Sequence, residues 1–452
     1  MENAINKCKK ALGEFFFLVC FFVPILVVKV RAGVTFQEGL QIARFFCSAA
    51  LYRKQPLYAA KVFILLFFKV KWKNFSPDYS LFSKKHYKTP LAVRKVGEWY
   101  SIKPEVQNDA PPVANTKSIQ YFSIGREAIF CALKSRNFDR KVVLLPIFTC
   151  FTVLAPFLQD GWKICFYRYN KDLSINTQYF EDVFRKESPS LCVFQPLSGM
   201  GFLDAENALV DLAHHNGCAT VVDQTQDIYN DRGNPSVDFY CGSLRKWYPF
   251  PDGAFLYSNK YAFNEGKNAG ENNIYRTSMG LCMFAQHLSA TYSNPFFAYL
   301  YSFMWTFSVC YIGNTKIVPH SMSDYSRKVL AQQDEAFNAS ARIRNFHYIY
   351  EGIRNLKTIR PAFESIERLT SVPLSFPIYV ENRNRFSHFL LSKGITTQLL
   401  WAIPPYIKKN IPLDATTRFI YDHILSLPCD QRYSTDDMRK MVELIREYDS
   451  QA

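Results

Sequence analysis

The chain has 452 residues, 48% of them hydrophobic and 21% charged, which is a globular composition with room for two or three domains and excludes a disordered chain. Its formal net charge of +15 is concentrated at one end: residues 1–100 hold 17 Lys and Arg against 5 Asp and Glu, leaving only +3 for residues 101–452. The main body therefore lacks the charge of a nucleic-acid binder, and no nucleic-acid partner is expected. Twelve cysteines are spread singly, none at CxxC spacing, and eight histidines are equally scattered, so no metal site is expected. Isolated cysteines in a chain this long read as small buried hydrophobes in a reducing compartment, the cytoplasm.

The first hundred residues carry two apolar runs, 15–28 and 58–70, flanked or interrupted by Lys7, Lys9, Lys10, Lys29, Arg31, Lys61 and Lys69. Both are shorter than the ~20 residues that span a bilayer. Two readings stay open: a pair of core helices, or a basic-rimmed hairpin through residues 1–75 that touches the inner face of a membrane peripherally. Residues 74–118 are rich in Pro and Asn and read as a wrapping linker.

From Tyr121 the pattern alternates between strand and helix. A helix opens at Ile124-Gly125-Arg126, an apolar strand covers 141–146, and Thr149 caps the next helix. Strands follow at 162–168, 190–196 and 218–224, with helices over 175–186 and 206–215 between them. Apolar strands separated by helices predict a parallel sheet covered on both faces. Ligands collect at the carboxyl ends of such strands, which places Thr149, Gln195, Asp223 and residues 243–246 around one site.

Asp223 ends an apolar strand, so its carboxylate needs a donor or cation opposite it. It reads either as the cap of the following turn or as the partner of a protonated ring nitrogen. After one more strand, 237–241, the turn Gly242-Ser243 leads to Lys246, and a second strand covers 254–258. A desolvated lysine amine can form a Schiff base with a carbonyl. Lys246 for an aldehyde, Asp223 for a pyridinium nitrogen, and the Gly125-Arg126 helix end with Ser243 for a phosphate together describe a pyridoxal 5'-phosphate site.

These segments resemble a known family. SIGREAI (123–129), LPIFTC (145–150), VVDQTQD (221–227) and GSLRKWYPFPDGA (242–254), followed by LLWAIPP (399–405), are similar in order to the DegT/StrS-type aminotransferases, which are pyridoxal phosphate enzymes of fold type I. The resemblance implies an α/β fold with a mostly parallel sheet and a small α+β C-terminal domain. It covers roughly residues 118–448 and implies a cofactor-binding large domain (118–330) and a small domain (331–452), which leaves residues 1–117 as a basic, apolar, helical N-terminal extension and linker outside the match. It implies that Lys246 bonds to the cofactor and moves the substrate proton, while Asp223 holds the ring nitrogen. Gln195 and Gln226 stand near the ring, and Ser243 with Gly125 and Arg126 holds the phosphate. It also implies transfer of an amino group from glutamate or a similar donor to a keto group on a nucleotide-linked sugar, in a homodimer.

The departures from the family pattern are Cys150 where an aromatic usually stacks on the ring, Ala254 in place of a second glycine, and a serine three residues before the lysine. Stacking then falls to Phe148 or Phe151. Arg126, Tyr229 and Trp401 are candidates for substrate contact. Residues 295–312 read as a buried connecting helix or dimer face. Two other readings stay open: different chemistry on the same cofactor, and a non-catalytic, membrane-associated relative.

Overall fold

The computed structural model describes residues 100, 112–263, 269–291 and 295–451. The two N-terminal apolar runs, and the membrane contact expected through them, lie outside these residues. Seven strands form the main sheet: β1 (Ile119–Phe122), β2 (Val142–Pro146), β3 (Lys163–Tyr167), β4 (Leu191–Phe194), β5 (Ala219–Asp223), β6 (Phe239–Ser243) and β7 (Ala254–Tyr257). Their order is β1-β7-β6-β5-β4-β2-β3. β3, β2, β4, β5 and β6 run parallel, while β7 lies antiparallel between β6 and β1.

The apolar runs make this sheet because both of its faces are covered. Alternate residues of each strand enter different cores. Val143 and Leu145 of β2, Leu191 and Val193 of β4, and Ala219 and Val221 of β5 pack in one cluster. Leu144, Cys192, Phe194 and Val222 pack in the other. The crossovers run through α1 (Gly125–Lys134), α2 (Phe151–Gln159), α3 (Thr177–Glu187) and α4 (Asp204–His215). The parallel sheet, its helices and the expected strand positions are all present, with ends shifted by at most two residues. A β1–β7 antiparallel edge is the one feature that periodicity did not show.

After β7 the chain forms α5 (Asn273–Thr291) and α6 (Pro295–Asn314), two long helices packed against each other as a hairpin. Residues 295–312 are thus a connecting helix, as expected. No helix among the described residues is long and apolar enough to cross a membrane. The segment after α6 is stitched to α1 and α2. Gln159 exchanges hydrogen bonds with both the N–H and the C=O of Ile317, and His320 N–H donates to Glu127 at 3.1 Å.

Then α7 (Asp324–Ala331) and α8 (Glu335–Ile353) lead to an antiparallel sheet of β8 (Ile359–Pro361), β9 (Phe376–Val380) and β10 (Ile424–Leu427), ordered β10-β9-β8. Helices α9 (Arg383–Ser392), α10 (Pro405–Asn410) and α11 (Ala415–His423) separate its strands, and α12 (Thr435–Gln451) closes the chain against α8. Phe346 and Ile349 of α8 and Phe376 and Ile378 of β9 share a core with the large sheet, so the two sheets are joined by continuous apolar packing.

Candidate active site

One cleft lies at the carboxyl ends of β4, β5 and β6, beside the N-terminus of α1. Gly125, Arg126, Gln195, Asp223, Gln226, Ser243 and Lys246 all line it. All seven expected site residues, separated by up to 121 positions in the sequence, are therefore gathered in one place. This is the strand-end location that an open α/β sheet favours.

Asp223 is 4% exposed, and both of its oxygens are engaged. Oδ1 accepts from Thr225 N–H at 3.0 Å, capping the short turn Gln224–Gln226. Oδ2 accepts from Gln195 Nε2 at 2.8 Å. The capping reading and the site reading of Asp223 are thus compatible, since one carboxylate does the first while its body faces the cleft. Gln195 is held in turn by the Thr149 hydroxyl, which donates to its Oε1 at 2.6 Å. This corrects one expectation: the N-cap of α2 is Cys150, and no side chain caps it. The Thr149 hydroxyl orients Gln195 instead.

Thr225 links the carboxylate turn to the lysine turn. Its hydroxyl accepts from Ser243 N–H at 3.1 Å, and its carbonyl accepts from Trp247 Nε1 at 2.9 Å. Lys246 ends the turn Leu244–Lys246 that follows β6. Among the described residues its amine makes no hydrogen bond or ion pair. Burial lowers its proton affinity and Arg245 lowers it further, against the pull of Cys150 and Asp223. These conditions favour the neutral, nucleophilic form of the amine relative to an ordinary lysine.

Gly242 lets this turn pass close to its neighbours. A Cβ there would lie 2.8 Å from Phe255 Cε1. At the helix end, a Cβ on Gly125 would come to 3.6 Å from Ser243 Cβ, so the first turn of α1 and the serine face each other closely. No side chain caps α1, and the N–H groups of Gly125 and Arg126 have no backbone acceptor among the described residues. They provide the donors and partial positive charge that suit an anion.

The Arg126 side chain does something different from its backbone. Its guanidinium donates to Ile312 C=O and, at 3.1 Å, to Thr315 Oγ1. It ties α6 to α1. Gln226 accepts from the Ser198 hydroxyl at 3.3 Å.

The stacking expectation needs correction. Phe148 is fully buried in a cluster with Trp401 and Tyr421, at ring distances of 4.9 and 5.0 Å. Cys150, Thr152 and Val153 line the cleft at the start of α2, and Trp401 reaches it from the C-terminal part of the chain. Of the substrate-contact candidates, Arg126 and Trp401 are on the cleft. Tyr229 instead shares Glu335 with Tyr248. Sequence reasoning missed Thr225 and Tyr275 on the cleft walls and gave Arg245, within the expected 243–246, no role of its own. Thr225 lies beside expected residues, but no motif marks Tyr275.

No family model matches the chain, and no curated protein sequence does. Solved structures do. A DegT DnrJ EryC1 StrS aminotransferase from Brucella abortus is 18% identical with a TM-score of 0.51, covering 73% of this chain and 85% of its own. PseC from Helicobacter pylori, an aminotransferase involved in the biosynthesis of pseudaminic acid, is 12% identical with a TM-score of 0.55, covering 79% and 100%. NtdA from Bacillus subtilis, solved with the cofactor PMP, is 14% identical with a TM-score of 0.53, covering 74% and 73%. The fold is that of the fold type I pyridoxal-phosphate-dependent transferases, as the sequence resemblance implied.

Proposed function

We propose that this chain is a pyridoxal-phosphate-dependent aminotransferase acting on small molecules. In this reading it takes an amino group from glutamate or a similar donor and delivers it to a keto group, the acceptor being a nucleotide-linked sugar. The observation that supports it most is the placement of Lys246 and Asp223 on one cleft, with an uncapped helix end beside Ser243 across from them. The residues present fit the cofactor. Lys246 is a desolvated amine without a hydrogen bond, and Arg126, Arg245 and Lys246 outnumber the single carboxylate on the cleft wall.

The cofactor supplies an aldehyde and an electron-withdrawing ring. This chain's residues would do the rest. Lys246 would hold the aldehyde, and its Nζ would carry the proton between substrate positions. Asp223, fixed by Gln195 and Thr225, would face the ring nitrogen and hold a proton there. Gln195 is itself held by Thr149, so the carboxylate is set before the cofactor arrives. The first-turn N–H groups of α1 and the Ser243 hydroxyl bind the phosphate. Trp401 would wall the cleft from the C-terminal part of the chain. The homodimer follows as part of the same reading, as does the small-domain role of residues 331–452.

The test uses the full chain. Purified protein saturated with pyridoxal phosphate should show the visible absorbance of the bound cofactor, and Lys246→Ala should lose it. Addition of glutamate should convert the cofactor to its amine form. Binding without conversion by any amino donor would replace transamination with other chemistry on the same cofactor, and no binding at all would remove the proposal.

A further inference from the structure

One buried polar group on the cleft has no use in the arrangement described so far. Tyr275, in the first turn of α5, is 0% exposed, and its hydroxyl has no hydrogen-bond partner among the described residues. A buried hydroxyl left unpaired costs free energy, so it needs an explanation. The rest of the ring is well accounted for. It packs against Ile124 and Met279, with Trp305, Tyr311 and Ile312 around them. Only the oxygen lacks a partner.

Its position supplies the explanation. Tyr275 lines the same cleft as Gly125, Arg126, Ser243 and Arg245. Ile124, against which its ring packs, is the N-cap residue of α1. Burial, with Asp252 and Glu127, outweighs the positive charges of Arg245 and Arg126 and keeps the hydroxyl protonated, hence a donor. An uncapped helix end, a serine and an unpartnered phenol thus lie together on a cleft wall that Arg126 and Arg245 also line.

The geometry points to Tyr275 as a phosphate-binding residue: its hydroxyl donates to the phosphate monoester of the cofactor, beside the first turn of α1 and Ser243. This rests on the cofactor reading above and adds a residue to it from outside the matched motifs. The α5–α6 hairpin then has a role in binding. It carries the donor on α5 and is anchored at Ile312 and Thr315 by Arg126, a residue of the very helix end that it completes.

Tyr275→Phe tests this in the full chain, because it removes one oxygen that has no protein partner and leaves the packed ring in place. Affinity is measured by absorbance titration with pyridoxal phosphate and with pyridoxal, which lacks the phosphate. The variant should bind pyridoxal phosphate about tenfold or more weakly than wild type and bind pyridoxal equally well. The cofactor-free variant should melt at the wild-type temperature or above it. An unchanged preference for the phosphorylated form overturns the inference and leaves the cofactor reading standing. A cofactor-free variant that melts lower assigns the hydroxyl a structural role and also overturns it. Wild type that binds neither ligand removes both the reading and the inference.

Discussion

Gln195 Nε2 donates to Asp223 Oδ2 at 2.8 Å while Gln195 Oε1 accepts from Thr149, so one amide sets the carboxylate of the next strand. Both ends of that amide are specified, which fixes its orientation without ambiguity. Gln195→Leu keeps the volume and removes both bonds. It should lower stability by about 1–3 kcal/mol, since two buried polar groups lose partners. Cofactor affinity should fall with it. Urea unfolding and absorbance titration check the two effects; wild-type values in both would show that Asp223 is held by Thr225 alone.

Lys246 gives a dependence on pH with a definite sign. Burial lowers its folded-state proton affinity below the ordinary lysine value of 10.5. Between the folded value and 10.5 the unfolded chain binds more protons, so the stability of the cofactor-free protein rises with pH in that window. Lys246→Met lacks this term. It should be the more stable protein at pH 7, with the difference narrowing as pH approaches 10.5. A difference constant with pH would show that the amine is not desolvated in solution.

Asp227 is fully buried, and burial pushes its carboxyl up to about 6 against the pull of Ser371 and Asn230. Asn230 Nδ2 donates to Oδ2 at 2.9 Å. Here the folded state binds the proton more tightly, so stability is lost as pH rises from the unfolded value of 3.8 through 6. Asp227→Asn removes that loss. Relative to wild type it should gain up to about 3 kcal/mol between pH 4 and pH 7, measured by urea unfolding at each pH.

Arg342 of α8 lies over the Trp247 ring at 4.5 Å, directly after Lys246 in the chain. It donates to Pro373 C=O at 3.0 Å, Leu374 C=O at 2.9 Å and the Tyr100 hydroxyl at 2.8 Å. Arg342→Met leaves three buried acceptors short of a donor and should cost about 3–5 kcal/mol. Circular dichroism melts would show it, and a loss under 1 kcal/mol would mean that water replaces the guanidinium.

Much of the site was legible because its residues are marked by what surrounds them. Asp223 interrupts an apolar run, Lys246 follows a Gly-Ser turn, and the strand-end rule brings them together without knowledge of the sheet order. What was not legible depends on side-chain direction. A threonine before a helix reads as a cap, but Thr149 turns to Gln195 because Cys150 occupies the cap position. An aromatic near the cofactor reads as a stacking residue, but Phe148 is drawn into the core by Tyr421 and Trp401. Tyr275 lies 29 residues past Lys246 in a helix of ordinary composition, so only its unpaired hydroxyl identifies it. The antiparallel β7 was hidden for a similar reason, since a strand buried on both faces has the same apolar pattern in either direction.

The order in which the chain is made has a consequence for the cleft. Gly125, Gln195, Asp223, Ser243 and Lys246 all precede the end of the main sheet at Tyr257, whereas Trp401 is made 144 residues later. At a synthesis rate of about 5–20 residues per second, roughly 7–30 s pass between the two. During that interval the part of the cleft wall supplied by the main sheet has been made, while Trp401, which joins it from the C-terminal part of the chain, has not. The lining of the cleft is thus completed only late in synthesis.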